Sequence, residues 1–439
     1  METTKKKQLE MKTTLTYLYA LLSVVSLMLV GCKEETDALE TFSAELKIEY
    51  PENIQNPQIK SGVIRGRNVT TGAIDTFDIK KGINLISGLY DFELSADVSL
   101  PSQNDTVVQL KAFTQSVVVN SSNSTIKFKA FESYPNDDLI ISEIFFTGTL
   151  QNSGSQYHGD DYVKIYNNTD HVIYADGLTL FESKFLTTQK FDYKPDIMSE
   201  AMTVDALYTI PGSGKEHPVY PGEYLLLVDT GIDHRVANPN SFDLSKADFE
   251  WYDISTSPKH QDIDGPEVPN LDKWYCYTLS FWLLHNRGFK AYGLARIPID
   301  KEKYLKEYKY TYRYVQVLPS GTYNMELTAY KLPNEWIKDL VTGSVKSEYV
   351  WNVSAPTLDR GWTHCGTMNS DPTRYFKSVR RKMLYLKANG KPFLKDTNNS
   401  TDDFNPDCVP SEIEQQGTAT DIYGTPATVR TYDGVVPMK

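Results

Sequence analysis

Cysteine is scarce, with four in 439 residues. No CxxC pair and no Cys/His spacing of a zinc site occurs, so the sequence gives no sign of a structural zinc. The seven histidines are scattered, with no HExxH and no pair at helical i,i+4 spacing. GxSxG and Walker motifs are missing too. The nearest thing to a phosphate loop, Pro211-Gly212-Ser213-Gly214-Lys215, has Thr209 where the first glycine belongs and Glu216 after the lysine. Basic residues are outnumbered, 45 Lys and Arg against 57 Asp and Glu, for a net charge of −12. A polyphosphate partner needs a basic surface, so nucleic acid is disfavoured. The apolar run 15–30 is sixteen residues long, short of the roughly 20 that span a bilayer. These absences point away from an enzyme, a cofactor and a transmembrane protein. What remains is a chain 40% hydrophobic and 12% aromatic, ample for a core.

The apolar run follows Lys5, Lys6, Lys7 and Lys12, as in a secretory signal. Met11 would start a better proportioned one. The run ends Leu29-Val30-Gly31-Cys32, which resembles the bacterial lipobox. That resemblance implies cleavage before Cys32 and acylation of it, giving an outer-membrane anchor. Each buried methylene adds about 0.8 kcal/mol, so several acyl chains hold a domain firmly. Lys33, Glu34, Glu35 and Asp37 follow, and resemble the acidic signal that exports Bacteroidetes-type lipoproteins to the cell surface. Asp105-Thr106-Val107 resembles the O-glycosylation sequon of those bacteria, which makes Thr106 a candidate acceptor. After cleavage three cysteines remain. Cys276 sits in an aromatic run and reads as buried, while Cys365 and Cys408 lie in polar surroundings that suit a disulfide.

The body reads as mainly β, with two antiparallel β-sandwich domains and long inserts in the second. Short alternating runs at 42–50, 62–69, 74–79, 83–86, 90–100, 106–119 and 124–131 are separated by turn signals. Residues 82–98, GINLISGLYDFELSADV, resemble prealbumin-like or carboxypeptidase-regulatory-like modules. The domains expected are a signal peptide at 1–31, an acidic tether at 32–40, a small sandwich at 41–132, a larger one at 138–411 and a loosely packed tail at 412–439. The phrases 139–146, 161–170, 172–180 and 219–228 follow the order of the lamin-tail domain, an immunoglobulin-like sandwich. Lys164 stands where that family has glutamate. The closing phrase runs from Ser378-Val379-Arg380-Arg381 to Asp396-Thr397-Asn398-Asn399-Ser400 and Phe404. The whole is similar to an uncharacterised family of Bacteroidetes-type surface lipoproteins. Insertions are expected at 181–218, 232–280 and 300–375, with a short helix at 335–341.

Inserted loops on a rigid sandwich commonly carry binding surfaces. Trp251, Trp274, Trp336 and Trp362 fall in or beside them and are candidate ligand contacts. Asp262 and Asp264, in a D-x-D-G turn, are weak candidates for a metal, as is the His158-Gly159-Asp160-Asp161 run. The expected function is non-catalytic. One form is binding of an extracellular nutrient (an iron compound, cobalamin or a glycan), and another is docking on a TonB-dependent transporter. The alternative is an adhesive module gripping host glycan or matrix.

Overall fold

The computed structural model describes residues 41–52, 54–101, 106–120, 124–133, 137–387 and 390–417. It is mainly β, with several mixed and antiparallel sheets and few, short helices. Cys32 and the expected export signal of Lys33, Glu34, Glu35 and Asp37 lie outside the described residues.

The N-terminal half stacks a three-stranded sheet (Ile83–Ile86, Thr41–Glu49, Ser124–Lys129) on a five-stranded one. The latter runs Ile74–Asp78, Gln58–Asn68, Gly88–Leu100, Thr106–Val119, Phe131–Ser133. Alternation explains this half. In Thr41–Glu49 the even-numbered residues Phe42, Ala44, Leu46 and Ile48 turn toward a core built on Ile64, Phe92, Leu94 and Ile126. The odd-numbered residues are exposed. Three strand pairings among the described residues depart from the antiparallel expectation: Thr41–Glu49 runs parallel to Ser124–Lys129, Tyr224–Val228 to Phe249–Glu250, and Ile337–Ser344 to Thr363–His364.

The second half packs a six-stranded sheet against an eight-stranded one. The first holds Phe249–Glu250, Tyr224–Val228, Tyr162–Tyr166, Ile140–Phe145, Ser378–Arg381 and Phe404–Cys408. The second is centred on Ala201–Thr209, Leu178–Ser183, Ala291–Arg296 and Ile337–Ser344. Ile144, Val163, Leu227 and Val379 from one meet Leu180, Tyr208, Leu294 and Val341 from the other in a shared core. Asp138, where this half begins, is clamped by Arg296 at 2.7 and 2.8 Å.

Three expectations need correcting here. The segments taken as insertions contribute strands to both sheets, Phe249–Glu250 to the first and Ala201–Thr209, Asp272–Cys276 and 309–333 to the second. Ala201–Thr209 is buried at every position, and the hairpin Lys309–Leu318 with Gly321–Pro333 extends that sheet outward. The expected helix at 335–341 is one 3-10 turn, Asn334–Trp336, followed by strand Ile337–Ser344, because Leu340 and Val341 are needed as core contacts in that sheet. The tail is also docked at its start: helix Ser411–Gln416 buries Glu412, Ile413 and Glu414. Its anchor is Lys164, whose ammonium meets Glu412 at 2.5 Å and donates to Ser411 at 2.6 Å. Lysine at this position therefore has a structural partner.

Candidate functional site

A cleft of about 850 Å³ lies between the outer face of the five-stranded sheet and the segments 168–171 and 385–396. The sheet face is polar because alternate residues of Gln58–Asn68 and Gly88–Leu100 must point away from the core. Ile64 and Leu94 point in, while Arg65 and Glu93 stand directly opposite each other across the ladder and point out. Lys111, from Thr106–Val119, joins them. From the other side come Lys387 and Asp396, and the ring of Phe393, stacked on Tyr385 at 5.0 Å. The Lys111 and Lys387 ammoniums lie 4.3 and 5.2 Å from the Phe393 ring centre. Lys387 also donates to the carbonyls of Asn168 and Thr169 at 2.8 and 3.1 Å.

Burial dominates the electrostatics of this group. It pushes Lys387 down to about 8, with repulsion from Lys111 adding to the effect and Glu93 and Asp170 opposing it. Lys111 is also lowered by burial, against the pull of Asp170, Glu93 and Asp396. Burial raises Glu93 although Arg65, Lys387 and Lys111 all favour its charge. Acid and base alike are shifted toward neutrality, so their mutual attraction does not replace the lost hydration. Such a group gains from a polar ligand that brings hydrogen bonds with it.

A second cluster carries less. Asp176, Glu216 and His217 bring ligand atoms within 4.8 Å of one another. Asp176 already accepts backbone N–H bonds from Gly214, Glu216 and His217 at 3.2, 2.9 and 2.9 Å. Burial alone would raise its pKa, and those bonds outweigh burial and lower it. This carboxylate staples its loop.

The tryptophans do not assemble. Trp251 is wholly buried and donates to Asp229 at 2.7 Å, so it is a core residue and is corrected as a ligand contact. Trp274 packs on Tyr304 and Trp336 on Tyr308, both at the margin of a satellite core. Trp362 stacks on Tyr349 at 4.4 Å. None of the four lines the cleft. Cys365 and Cys408 are buried free thiols where a disulfide was expected, and Cys408 donates to the Asn405 carbonyl at 3.3 Å. Thr106 is exposed at the start of its strand. Asp262 accepts from the Asp253 and Ile263 amides, and Asp264 from Asn270.

Arg65, Glu93, Lys111, Lys387 and Phe393 escaped sequence reasoning. Period-two alternation marks a polar face, and nothing in it says that a second body covers that face.

Residues 220–411 match the sequence profile of a family described as "Protein of unknown function (DUF4876)". No curated protein matches the chain. The crystal structure of a DUF4876 family protein from Bacteroides thetaiotaomicron superposes with a TM-score of 0.56. It is 19% identical and the alignment covers 87% of this chain and 98% of that one. At that identity the likeness speaks for the fold. The chain is therefore a β-rich protein similar to the DUF4876 family, matched to it in sequence over 220–411 and in architecture over most of its length.

Proposed function

We propose that this is a lipid-anchored, surface-exposed outer-membrane protein that binds an extracellular ligand without transforming it, and that the ligand sits in the cleft between the two halves. The observation that carries this reading is the cleft's set of half-buried charges around Phe393, namely Glu93, Lys111 and Lys387, each shifted toward neutrality. Ligand sites favour domain junctions, and volumes of roughly 300–1,000 Å³ are usual. Arginine, lysine, glutamate and aspartate side by side supply donors and acceptors in quantity. That suits a hydroxyl-rich molecule, which favours a glycan over cobalamin or an iron compound as cargo.

Titration calorimetry with acidic and neutral oligosaccharides, ferric citrate and cyanocobalamin tests the site. At least one oligosaccharide is expected to bind, with affinity lowered about tenfold or more by Lys387→Ala and by Glu93→Gln, equivalent to about 1.4 kcal/mol. Binding that neither substitution disturbs, or none to any probe, would sink the cleft reading.

The anchor is tested separately. In cells fed labelled palmitate, the native chain is expected to carry label and to sediment with outer membranes. Cys32→Ala should lose the label and pass almost wholly into the soluble envelope fraction. An unlabelled native chain, or a Cys32→Ala form still held on membranes, contradicts the lipoprotein reading.

A further inference from the structure

An open sheet edge invites pairing with another chain, and proteins blunt such edges by shortness, charge or proline. Most outer strands of the larger sheets here follow that rule. Phe249–Glu250 and Thr363–His364 hold two residues each, Phe131–Ser133 three and Ile83–Ile86 four. Ile74–Asp78 has Asp75 and Asp78, Ser124–Lys129 has Lys127 and Lys129, and Phe404–Cys408 has Pro406 and Asp407. One edge breaks the pattern. Lys309–Leu318, ten residues long, ends the eight-stranded sheet. Its second half, Tyr314-Val315-Gln316-Val317-Leu318, has no charge and no proline and is rich in good strand formers.

The ladder fixes which backbone groups are free. Lys309–Leu318 pairs with Gly321–Pro333 without a register shift. The Arg313 amide and carbonyl face outward, since they exchange bonds of 2.9 Å with Lys194. Every second residue of an antiparallel strand turns its backbone groups the same way. The N–H and C=O groups of Val315 and Val317 therefore face outward too, and among the described residues nothing bonds them. Their side chains are 51 and 74% exposed, and that of Leu318 is 43% exposed. Arg313, the nearest charge, is already paired with Glu326 on its own hairpin. The second strand of the hairpin is also open between Gly321 and Ala329, because its pairing with Ala201–Thr209 begins at Tyr330. Glu326 sits within that stretch and opposes pairing there.

We propose that two copies of this chain join through the first of these edges, 314–318 of one running antiparallel to 314–318 of the other about a two-fold axis. An extended strand adds to an open edge through main-chain hydrogen bonds. The pairing that uses every free group sets Val315 opposite the second copy's Val317, and Gln316 opposite the second copy's Gln316. Each valine pair then exchanges both of its main-chain bonds. Tyr314 meets the second copy's Leu318 across the ladder, and no like charges stand opposite each other. Lys194, bonded to Arg313, marks where the shared ladder stops. A second copy is the occupant because the arrangement is self-complementary. One two-fold contact covers both exposed edges and leaves neither open to a third chain.

The test uses the full chain in mild detergent. Sedimentation is expected to show a dimer whose share grows with concentration. Val317→Lys puts a charge on the edge at an exposed position, and should leave a monomer with an unchanged unfolding midpoint. Gln316→Cys should cross-link two copies under a mild thiol oxidant such as diamide. Facing residues of a non-hydrogen-bonded pair lie about 4.5 Å apart at Cα, within disulfide reach. Asn324→Cys, one strand further from the axis on each copy, should form no such link. A monomer at every concentration overturns the proposal and leaves the edge to a strand of a different protein. So does a dimer that survives Val317→Lys, or a cross-link formed by Asn324→Cys.

Discussion

Arg381→Met should cost about 3–5 kcal/mol of stability, the usual penalty for removing one partner of a buried ionic group. At 2–4 °C per kcal/mol for a body of this size, the unfolding midpoint should fall by roughly 10 °C. Arg381 is almost fully buried and, among the described residues, is the only side-chain cation paired with three aspartates: Asp339 at 2.6 Å, Asp396 at 3.1 Å and Asp403 at 3.8 Å. It also donates to the Ile141 carbonyl at 2.8 Å and lies over the Phe404 ring at 4.6 Å. Asp339 belongs to the eight-stranded sheet and Arg381 to the six-stranded one, so this ion pair crosses the core. Burial already pushes Asp339 and Asp403 toward the neutral acid, with Arg381 opposing it. Methionine fills the space and leaves both without a counter-charge. Arg381→Lys keeps the charge and loses the planar fork that reaches several acceptors at once, so it should fall between the two. Urea unfolding followed by tryptophan fluorescence measures all three. A loss under about 1 kcal/mol for methionine would mean that packing, rather than this network, joins the sheets there.

The same arginine shows how far the sequence could be read. The closing phrase, Arg381 followed by Asp396 and Phe404, was visible as a pattern, and its members do come together. Their partner Asp339 was hidden in a segment expected to be helical. The N-terminal strands were legible because one face of each packs on a core while the other meets water, which writes a period of two into the residues. Ala201–Thr209 carries no such signal because both of its faces are covered. The parallel pairing of Thr41–Glu49 with Ser124–Lys129 joins segments about eighty residues apart, and local pattern does not encode it. Composition also misled at Trp251. A tryptophan in a polar stretch looked available for a ligand, yet its indole is spent on a buried aspartate. Asp161 and Asp262 stood out in the sequence only as weak metal candidates in separate loops. Only the fold sets Asp161 opposite Asp229, one step beyond the Tyr162–Val228 pair.

That juxtaposition should leave a mark on the pH dependence of stability. Burial pushes Asp161 and Asp229 well above the ordinary carboxylate range, and neighbouring carboxylates add to the shift. Burial takes Glu250 to about 7 and Asp262 to about 6. In each case the folded protein holds its proton at a pH where the unfolded chain has lost it. The contribution is therefore fully present below the unfolded value, near 4, and is lost as pH rises through the folded values. Stripped of divalent ions, the native chain should lose stability between about pH 5 and 8. Histidines act the other way: burial lowers His285 to about 4 and also lowers His234, so acidification below about 6.5 works against the fold. The carboxylate part is isolated by subtracting the Asp229→Asn curve, in which the histidines remain. Relative to that variant, the native chain is expected to lose about 1–3 kcal/mol over this window, after allowance for solvent screening. Parallel curves would show that Asp229 holds no extra proton in the folded chain. A diverging pair would show that burial, with the neighbouring carboxylates adding to it, keeps the Asp229 side chain protonated in the fold at pH values where the unfolded chain has lost the proton.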